Sequence, residues 1–596
     1  MSSGNVSATE DTVSVSAVPL RAGVAVTGVA ATNQSRGYRN AALCAVLVAV
    51  CLWIAWPVSK MGFLDDWSYA RTAQIYAQTG HFVYNGWATA MLGWQIVWGA
   101  LFIKLFGFSF TILRVSMLPV AMATVFLFHQ ILLRFRVSSR NAVIGTLTLG
   151  LSPLFLPLAD SFMTDIPGLL VILICIYCCQ RAIGSTSTRN AILWLVLAAT
   201  SNVAGGTVRQ IAWLGALVVV PTTGWMLRRR RGILPVTLAQ WAASAATIFL
   251  CMKWYARQPY SISEGSVQGL LSKRWAVILI PLDLGGAVLC SLLVLFPIVV
   301  AWLPTWRRRG ATAVFKCAVV ILVVTVLQVV FHTYLPWLMH LLESEFARGR
   351  AAGVAVPSPD TFLLPAWARV LGGALVIATG FVLAVDLRAS LHAGSWRKVA
   401  ARTEVALLAP YLVAYFVLLV PRASIGALFD RYLLGVLPVF IPWVLLFFQA
   451  RFGDRLPRLS VIWLFIFALL GIAGTHDWFA WQRARGAAMD EVLASGIPAT
   501  EIQAGFEPDG WTQVQHGPIN NKFVTIPAHE YRPVPKLDQI PAPCRLDFAD
   551  RTPAIHAKYS IGLDPAGCFA PTDYPPVHYR RWLPPFHGTI YVQKLR

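Results

Sequence analysis

Long apolar segments recur along the chain from about residue 41 to residue 475, and short polar loops separate them. Most of the segments are about 17 to 25 residues long, which is the length that an α-helix needs to cross a bilayer. The pattern predicts about thirteen membrane-spanning helices. Two of them fill the stretch that is broken at Gly205 and Gly206. The other predicted spans lie near residues 40–58, 110–133, 141–158, 166–183, 233–252, 277–304, 312–334, 366–386, 404–420, 433–450 and 459–475.

The loop after the first span has a different pattern. Residues 61–110 are only moderately apolar, and aromatic residues and glycines occur throughout them. Such a stretch favours short helices that lie in the membrane interface. The two ends of the chain are polar. Residues 1–39 are predicted to be a disordered cytoplasmic tail, residues 40–475 a transmembrane domain, and residues 476–596 a small α+β domain with one helix near 476–495.

The composition supports a polytopic membrane protein. Of the 596 residues, 57% are hydrophobic and only 13% are charged, which excludes a series of soluble domains. The formal net charge is +22, but the arginines cluster in short loops between the apolar segments. This distribution indicates membrane topology rather than a groove for a polyanion, so we expect no nucleic acid partner.

The same charges predict the orientation. Arg36 and Arg39 precede the first span and place the N-terminus in the cytoplasm. An odd number of spans then places residues 476–596 outside. We therefore expect a multi-pass protein of the inner (plasma) membrane with an extracytoplasmic C-terminal domain.

Most of the cysteines fall in apolar segments, where they are typical small hydrophobic residues. Cys544 and Cys568 lie in the polar C-terminal region. If that region is outside the cytoplasm, they can form a disulfide. The alternative is two free thiols.

Four aspartates mark the outer ends of predicted spans. Asp65 and Asp66 follow the first span, and Asp160 and Asp165 follow the third, so all four face one compartment. A carboxylate there can accept the proton of a nucleophile in a transfer reaction. Asp66 and Asp160 are the candidates for acceptor binding or for a second acidic group. The alternative for the first pair is an ordinary helix start, with an aspartate capping a helix that begins near Trp67.

Two arginines stand in short outer turns beside the membrane, Arg209 and Arg431. Either can bind a phosphate through two parallel hydrogen bonds. The alternative for each is an interfacial side chain that keeps its charge in water. Asp65 and Asp165 could also hold a divalent cation, with phosphate oxygens completing its shell. The sequence predicts no cofactor with certainty.

Three motifs in this order resemble the GT-C glycosyltransferases. They are Asp65-Asp66 after the first span, Phe162-Met-Thr-Asp-Ile-Pro167 after the third, and Asp430-Arg-Tyr-Leu-Leu434 before a late span. The chain is most similar to the bacterial branch of glycosyltransferase family 39, which is related to the protein O-mannosyltransferases and to the lipid A aminoarabinose transferase. The resemblance covers roughly residues 40–480 by topology.

The resemblance implies a function. Such an enzyme moves a hexosyl or pentosyl group from a polyprenyl-phosphate donor to an acceptor hydroxyl, outside the cytoplasmic membrane and with inversion of the anomeric centre. The acceptor can be a lipid, a glycan or a protein.

The resemblance also implies roles for individual residues. Asp65 matches an acidic residue that acts as base or orients the acceptor. Asp165 matches a partner that binds metal, donor or acceptor, and Asp66 stands where many relatives have Glu. Arg431 and Tyr432 match an Arg-Tyr pair near the donor phosphate. The chain departs from the family where relatives carry Lys-Pro-Pro-Leu, because Ala90-Met-Leu-Gly-Trp94 stands there.

The alternative function is a polytopic transporter or a flippase for a lipid-linked sugar. Such a protein should carry ionisable groups near the bilayer midplane on broken helices, and an internal repeat. The break at Gly205 and Gly206 favours this alternative. The sequence has no evident repeat, and most of its acidic residues lie in outer loops.

Overall fold

The structure is a computed structural model, and it describes residues 30–262, 276–330, 366–393, 402–424, 428–521, 523–526, 548–562 and 569–596. Most of the described chain is helical, with a small sheet near the C-terminus. The predicted fold class, a polytopic helical protein with a small C-terminal α+β region, is confirmed.

The helices follow one another with short connections through most of the chain. In chain order they are α1 Ala30–Ile54, α2 Asp66–Thr79, α3 Gly93–Phe106, α4 Phe110–Arg134, α5 Ser139–Gly150, α6 Phe155–Ala159, α7 Asp165–Ile183, α8 Thr188–Gly205, α9 Val220–Met226, α10 Ile233–Ala256, α11 Ala276–Val294, α12 Phe296–Val299, α13 Ala311–Val330, α14 Ala366–Ala393, α15 Thr403–Ala423, α16 Leu437–Phe452, α17 Arg458–Ala494 and α18 Phe506–His516.

Within the described residues, 8 helices are long and apolar enough to cross a membrane, or up to 9 if a bent pair counts as one span. The bent pair is Ile278–Val294 with Phe296–Arg307, and its two parts meet at 64°. Pro297 stands at the start of the second part, where a proline lacks the N–H that would continue the helix. The chain is thus a multi-pass membrane protein, and the number thirteen stays a prediction.

Three predicted elements differ in extent. Residues 141–158 were expected to form one span, but α5 ends at Gly150 and the five-residue α6 follows. Pro153 explains the interruption, because the residue before a proline avoids helical backbone angles. The last span was expected over 459–475, yet α17 runs 37 residues without a break. Helix α1 begins at Ala30, inside the segment predicted to be disordered.

The loop between α1 and α4 contains two short helices, α2 and α3, as the sequence predicts. Between them lies a loop that packs against residues 205–210 and against the C-terminal domain. The ring of Trp67, which is fully buried, contacts Trp87, Phe506 and Phe548 at centroid distances of 5.7, 5.8 and 6.1 Å. This aromatic cluster joins the first loop to the C-terminal domain.

The C-terminal domain carries a five-stranded sheet. Its strands are β1 Ile502–Gln503, β2 Tyr559–Gly562, β3 Phe569–Pro571, β4 Val577–Arg580 and β5 His587–Leu595. The order is β1-β2-β5-β3, and β4 pairs with the first half of β5. All pairs are antiparallel except β1 with β2.

A buried ion pair holds this domain to the end of the last long helix. Arg485 of α17 donates to Glu507 at 2.6 Å, and both side chains are almost fully buried. The guanidinium also lies 3.9 Å from the ring centroid of Trp481. The domain is therefore fixed against the membrane-spanning part by a charged contact as well as by the aromatic cluster.

Candidate active site

Asp65 lies at the N-terminal end of α2, with both carboxylate oxygens engaged. Its Oδ2 accepts a hydrogen bond from Arg431 Nη2 at 3.1 Å, and its Oδ1 accepts one from Trp87 Nε1 at 2.9 Å. The side chain of Asp65 is 17% exposed. Each carboxylate oxygen has two acceptor positions, so both oxygens can accept a further proton or hydrogen bond. The two donors fix the orientation of the carboxylate, and part of its surface stays accessible to solvent.

Asp165 forms a second acid–arginine pair with Arg209. Asp165 is the first residue of α7, where the helix dipole favours a negative charge. Its Oδ1 accepts a hydrogen bond from Arg209 Nη1, and its Oδ2 is buried without a hydrogen-bond partner in the part of the chain that the structure describes. Arg209 lies between two short 3₁₀ turns, Gly206–Val208 and Gln210–Trp213.

Tyr432 connects the two pairs. The guanidinium carbon of Arg209 lies 5.1 Å from the centroid of the Tyr432 ring, and that of Arg431 lies 5.7 Å from it. Both distances are within the range of cation–π attraction. The hydroxyl of Tyr415 donates to the backbone carbonyl of Tyr432 at 2.6 Å, which fixes the 3₁₀ turn Asp430–Gly435. Both guanidiniums therefore lie beside one ring, and each of them also contacts an aspartate.

Arg431 has unused hydrogen-bonding capacity. Its Nη2 binds Asp65, while its Nε and Nη1 are buried and have no hydrogen-bond partner among the described residues. A buried donor without a partner costs about 1 to 3 kcal/mol, more for a charged group. An anionic oxygen placed beside these atoms would remove this cost. The guanidinium can therefore bind an anion without leaving Asp65.

A pocket opens next to these groups, with about 360 Å³ of space that no atom occupies. Asp165, Arg209 and Arg431 line its charged part. Its other walls are mostly apolar or aromatic and consist of Gly168, Leu169, Ile172, Ile211, Ala212, Tyr411, Tyr415, Leu434 and Gly435. A ligand with an anionic head and an apolar chain matches this distribution.

Close backbone contacts hold the turn that carries Arg209. The amide of Leu92 donates to the carbonyl of Val208 at 3.3 Å, and Trp94 Nε1 donates to the carbonyl of Gly205 at 3.0 Å. A Cβ on Gly93 would lie 2.1 Å from Thr207 Oγ1, so the approach requires glycine. The stretch 90–94 therefore supports the backbone around residues 205–208, where α8 ends.

Asp66 and Asp160 lie away from this pocket, in the protein interior. Asp66 is fully buried and accepts hydrogen bonds from the amides of Phe63 at 2.6 Å and Phe162 at 3.2 Å. Burial raises the pKa of Asp66 to about 7, although Arg114 and the two amides lower it. Burial also raises the pKa of Asp160 well above its usual range, against the effect of Arg114. Asp66 thus connects the loop between α1 and α4 to the loop before α7.

The sequence did not predict two residues that contact or face Asp65. Trp87 is the donor to Asp65, and nothing in its sequence context separates it from the other aromatics of the loop. Tyr69 lies one helical turn after Asp65, so the two project from one face of α2. Burial raises the pKa of Tyr69 well above its usual range, and Asp65, Arg431, Asp165 and Arg209 also act on it. The spacing of one helical turn from Asp65 could have predicted Tyr69 as a site residue.

Two further predictions concern ligands and cysteines. Among the described residues, no group of three or more His, Cys, Asp and Glu side chains is placed to hold a metal ion. Asp65 and Asp165 are each paired with an arginine, so the residues present do not fit a divalent cation. Cys544 and Cys568 lie outside the described residues, and their disulfide stays a prediction.

No protein-family model matches the chain, and no curated protein matches it in sequence. Several solved structures are similar to it. The protein O-mannosyltransferase complex of S. cerevisiae, bound to the sugar donor, matches 39% of this chain and 35% of its own, at 15% identity and a TM-score of 0.31. ArnT from Cupriavidus metallidurans, bound to undecaprenyl phosphate, matches 79% of this chain and 82% of its own, at 15% identity and a TM-score of 0.37.

The oligosaccharyltransferase of Archaeoglobus fulgidus, in complex with zinc and sulfate, matches 88% of this chain and 67% of its own. Its identity is 15% and its TM-score 0.44. These three structures are a protein O-mannosyltransferase, ArnT and an oligosaccharyltransferase. At these identities and TM-scores, an argument for function has to come from the site of this chain.

Proposed function

We propose that this protein is an inverting glycosyltransferase that moves a sugar from a polyprenyl-phosphate donor to an acceptor hydroxyl on the outer side of the cytoplasmic membrane. The observation that carries the proposal is the paired arrangement of Asp65 with Arg431 and of Arg209 with Asp165 beside an amphipathic pocket. The order and spacing of the three sequence motifs support it independently. The acceptor belongs to the class of lipids, glycans or proteins that carry a free hydroxyl.

The pocket supports a lipid-linked anionic donor. Arg431 has two buried N–H groups without partners in the described chain, and Arg209 lines the same pocket. A phosphate between the two guanidiniums would accept charge-assisted hydrogen bonds, which are about twice as strong as neutral ones. Leu169, Ile172 and Leu434 line the same pocket and suit the first isoprene units.

Asp65 is the proposed base. In the reaction, the acceptor oxygen attacks the anomeric carbon, and its proton passes to the carboxylate of Asp65. The bond between the anomeric carbon and the phosphate oxygen breaks, and its electron pair leaves with the phosphate. Attack from the face opposite the phosphate inverts the anomeric centre. Arg431 and Arg209 stabilise the negative charge that grows on the leaving phosphate.

Asp165 and Tyr432 act on the arginines in this proposal. Asp165 holds Arg209 toward the pocket, and its second oxygen is available to a sugar hydroxyl. The Tyr432 ring lies within cation–π range of both guanidiniums and stabilises their charges. No step passes through a metal ion, because both carboxylates already have a cationic partner.

A reconstituted transfer assay tests the reaction class. Purified protein in lipid vesicles is given polyprenyl-phosphate donors with radiolabelled sugars, together with a membrane extract as the source of acceptors. A glycosyltransferase yields labelled acceptor and an equal amount of free polyprenyl phosphate. Movement of the intact donor across the bilayer without release of polyprenyl phosphate would instead establish the transporter alternative.

The phosphate site is tested with Arg431→Gln. Loss of charge-assisted hydrogen bonds worth about 1.5 to 3 kcal/mol should weaken donor binding by roughly 10-fold to 100-fold. Arg451→Gln is the control, because Arg451 is 53% exposed and lies 3.9 Å from Asp386, outside the pocket. Binding is measured by equilibrium competition with unlabelled polyprenyl phosphate. Equal affinities for the two variants would contradict the proposed site.

A further inference from the structure

The turn between β4 and β5 is apolar and exposed in an otherwise polar domain. Its sequence is Arg581-Trp-Leu-Pro-Pro-Phe-His587, which we name the hairpin tip. Trp582 is 47% exposed and Phe586 is 53% exposed, and the two prolines between them are exposed as well. The amide of Arg581 donates to the carbonyl of Phe586 at 2.8 Å, which closes the tip. Such a surface favours an apolar or interfacial partner.

The hairpin tip is bound to the last long helix. Asp477 of α17 accepts hydrogen bonds from the amides of Trp582 at 2.7 Å and Leu583 at 3.0 Å. The imidazole of His476 stacks on the Trp582 ring, with 4.0 Å between centroids and 11° between planes. The side chain of Asp477 is only 6% exposed. These contacts fix the position of the tip along the axis of α17.

That position is the end of a membrane-spanning segment. Residues 459–475 of α17 are apolar, and His476 and Asp477 follow them directly. Further along α17, Arg483 donates to the carbonyls of Trp56 and Val58, which lie just beyond the end of α1. Asp477 precedes Arg483 by six residues, or about 9 Å along a helix. The tip therefore lies at least as deep as the level where α1 leaves the bilayer.

We propose that the hairpin tip inserts into the phospholipid headgroup region of the leaflet on the side of the C-terminal domain. Tryptophan is enriched at this depth because its ring is apolar and its N–H can still bind a headgroup. The prolines contribute no N–H that would need a partner away from water. Arg580, which precedes the tip, and His587, its last residue, are exposed, so they can contact lipid phosphates. Exposed Trp53 and Trp56 at the end of α1 mark the same level.

A bilayer explains the exposure better than a protein partner does. The tip lies beside the end of the apolar stretch of α17, because the exposed Trp582 ring stacks on His476 and the Trp582 amide donates to Asp477. Insertion would hold the C-terminal domain against the membrane independently of any reaction. The inference does not depend on the proposed glycosyl transfer.

The test is a depth measurement on the full-length protein in phosphatidylcholine vesicles. Phe586→Cys is labelled with an environment-sensitive fluorophore, and labelling of the unmodified protein is subtracted. Ala494→Cys is the matched control, because Ala494 is exposed and ends the same helix about 26 Å beyond Asp477. Quenching is recorded with a lipid carrying a nitroxide near its headgroup, and separately with iodide in water.

The label at residue 586 should be quenched several-fold more by the nitroxide lipid than the label at 494, and it should be protected from iodide. A label at the neighbouring exposed residue, in His587→Cys, should give the same result. Iodide quenching at 586 equal to that at 494 would overturn the proposal. Protection from both quenchers would also overturn it, because it would show that a protein surface covers the tip.

Discussion

Two neighbouring aspartates at the start of α2 have opposite environments. The side chain of Asp65 is 17% exposed and faces Arg431, whereas Asp66 is fully buried among backbone amides. Successive residues at a helix start project about 100° apart. Of two adjacent aspartates, one can therefore have a reactive role and the other a structural role. In the proposed mechanism Asp65 is the reactive carboxylate, and Trp87 holds it, which makes the indole N–H a positioning group.

Replacing Trp87 by phenylalanine tests this positioning role. Phenylalanine keeps an aromatic ring against Trp67, Phe506 and Phe548 but removes the hydrogen bond to Asp65. Loss of a hydrogen bond to a charged group corresponds to about 1.5 to 3 kcal/mol. We expect the maximal transfer rate to fall roughly tenfold or more, with little change in donor affinity.

The control for this substitution is Trp98→Phe. Trp98 also donates its indole N–H, but to the backbone carbonyl of Ser116 at 2.8 Å and away from the pocket. Its transfer rate should match that of the unmodified protein, while both variants lose similar thermal stability. Equal transfer rates in the two variants would remove Trp87 from the positioning of Asp65.

At the scale of elements, breaks in helices bring the charged groups together. Arg209 lies between two 3₁₀ turns after α8, and Arg431 lies in a 3₁₀ turn before α16. Both arginines thus project from irregular backbone beside the membrane-spanning helices. An uninterrupted helix at either position would place the arginine outside the site. Asp66 also links two loops, because it accepts one hydrogen bond from the amide of Phe63, before α2, and one from the amide of Phe162, before α7.

The pKa of Asp66 predicts a pH dependence of stability. Its pKa is about 7 in the folded protein, against 3.8 as the ordinary value. A carboxyl with a raised pKa contributes most stability below the unfolded value, and the contribution is lost as pH rises through the folded value. The free energy of unfolding should therefore decrease as pH rises from about 4 to about 7, by up to about 1.4 kcal/mol per unit.

Asp66→Asn should flatten part of this dependence. Asp509, buried in the C-terminal domain, also has a pKa raised to about 7, chiefly by burial, and should account for a remaining part. The measurement is the thermal unfolding midpoint across this pH range for the unmodified protein and for Asp66→Asn. An unchanged slope in the variant would show that Asp66 does not titrate with folding.

At the scale of the whole molecule, the C-terminal domain packs against the loop between α1 and α4. Phe506 and Phe548 pack on Trp87 at 5.4 and 5.2 Å, so the domain supports the residue that orients Asp65. The buried pair of Arg485 and Glu507 fixes the domain on α17. The C-terminal domain therefore supports the site indirectly, through its contacts with Trp87.

Arg485→Met should loosen this connection strongly. Removing one partner leaves the charge of Glu507 buried without compensation, which typically costs about 3 to 5 kcal/mol. The double variant Arg485→Met/Glu507→Leu should recover much of that loss, because a buried ion pair can often be replaced by apolar residues. Unfolding midpoints and limited proteolysis measure both. A double variant that is no more stable than Arg485→Met would contradict the role of the pair.

The sequence predicted the features that depend on local pattern. The helical membrane-spanning class, the two short helices of the first loop, and Asp65, Asp165, Arg209, Arg431 and Tyr432 as candidate residues follow from hydropathy and motif order. The structure brings these five residues into one site. Contacts between distant residues were not predictable, because many partners fit any one position. The donor to Asp65 is one of several aromatics in its loop, and the burial of Asp66 depends on an amide 96 residues away.

The most direct test of the account is the single-turnover transfer rate of Asp65→Asn with donor bound in advance. The matched control is Asp490→Asn, because Asp490 is exposed and pairs only at the surface with Lys60. Loss of a general base typically reduces a rate by about 10²-fold to 10⁴-fold. We expect Asp65→Asn to bind the donor and lose transfer to this extent, while Asp490→Asn transfers normally. Transfer by Asp65→Asn at the rate of the control would contradict the role of this carboxylate as the base.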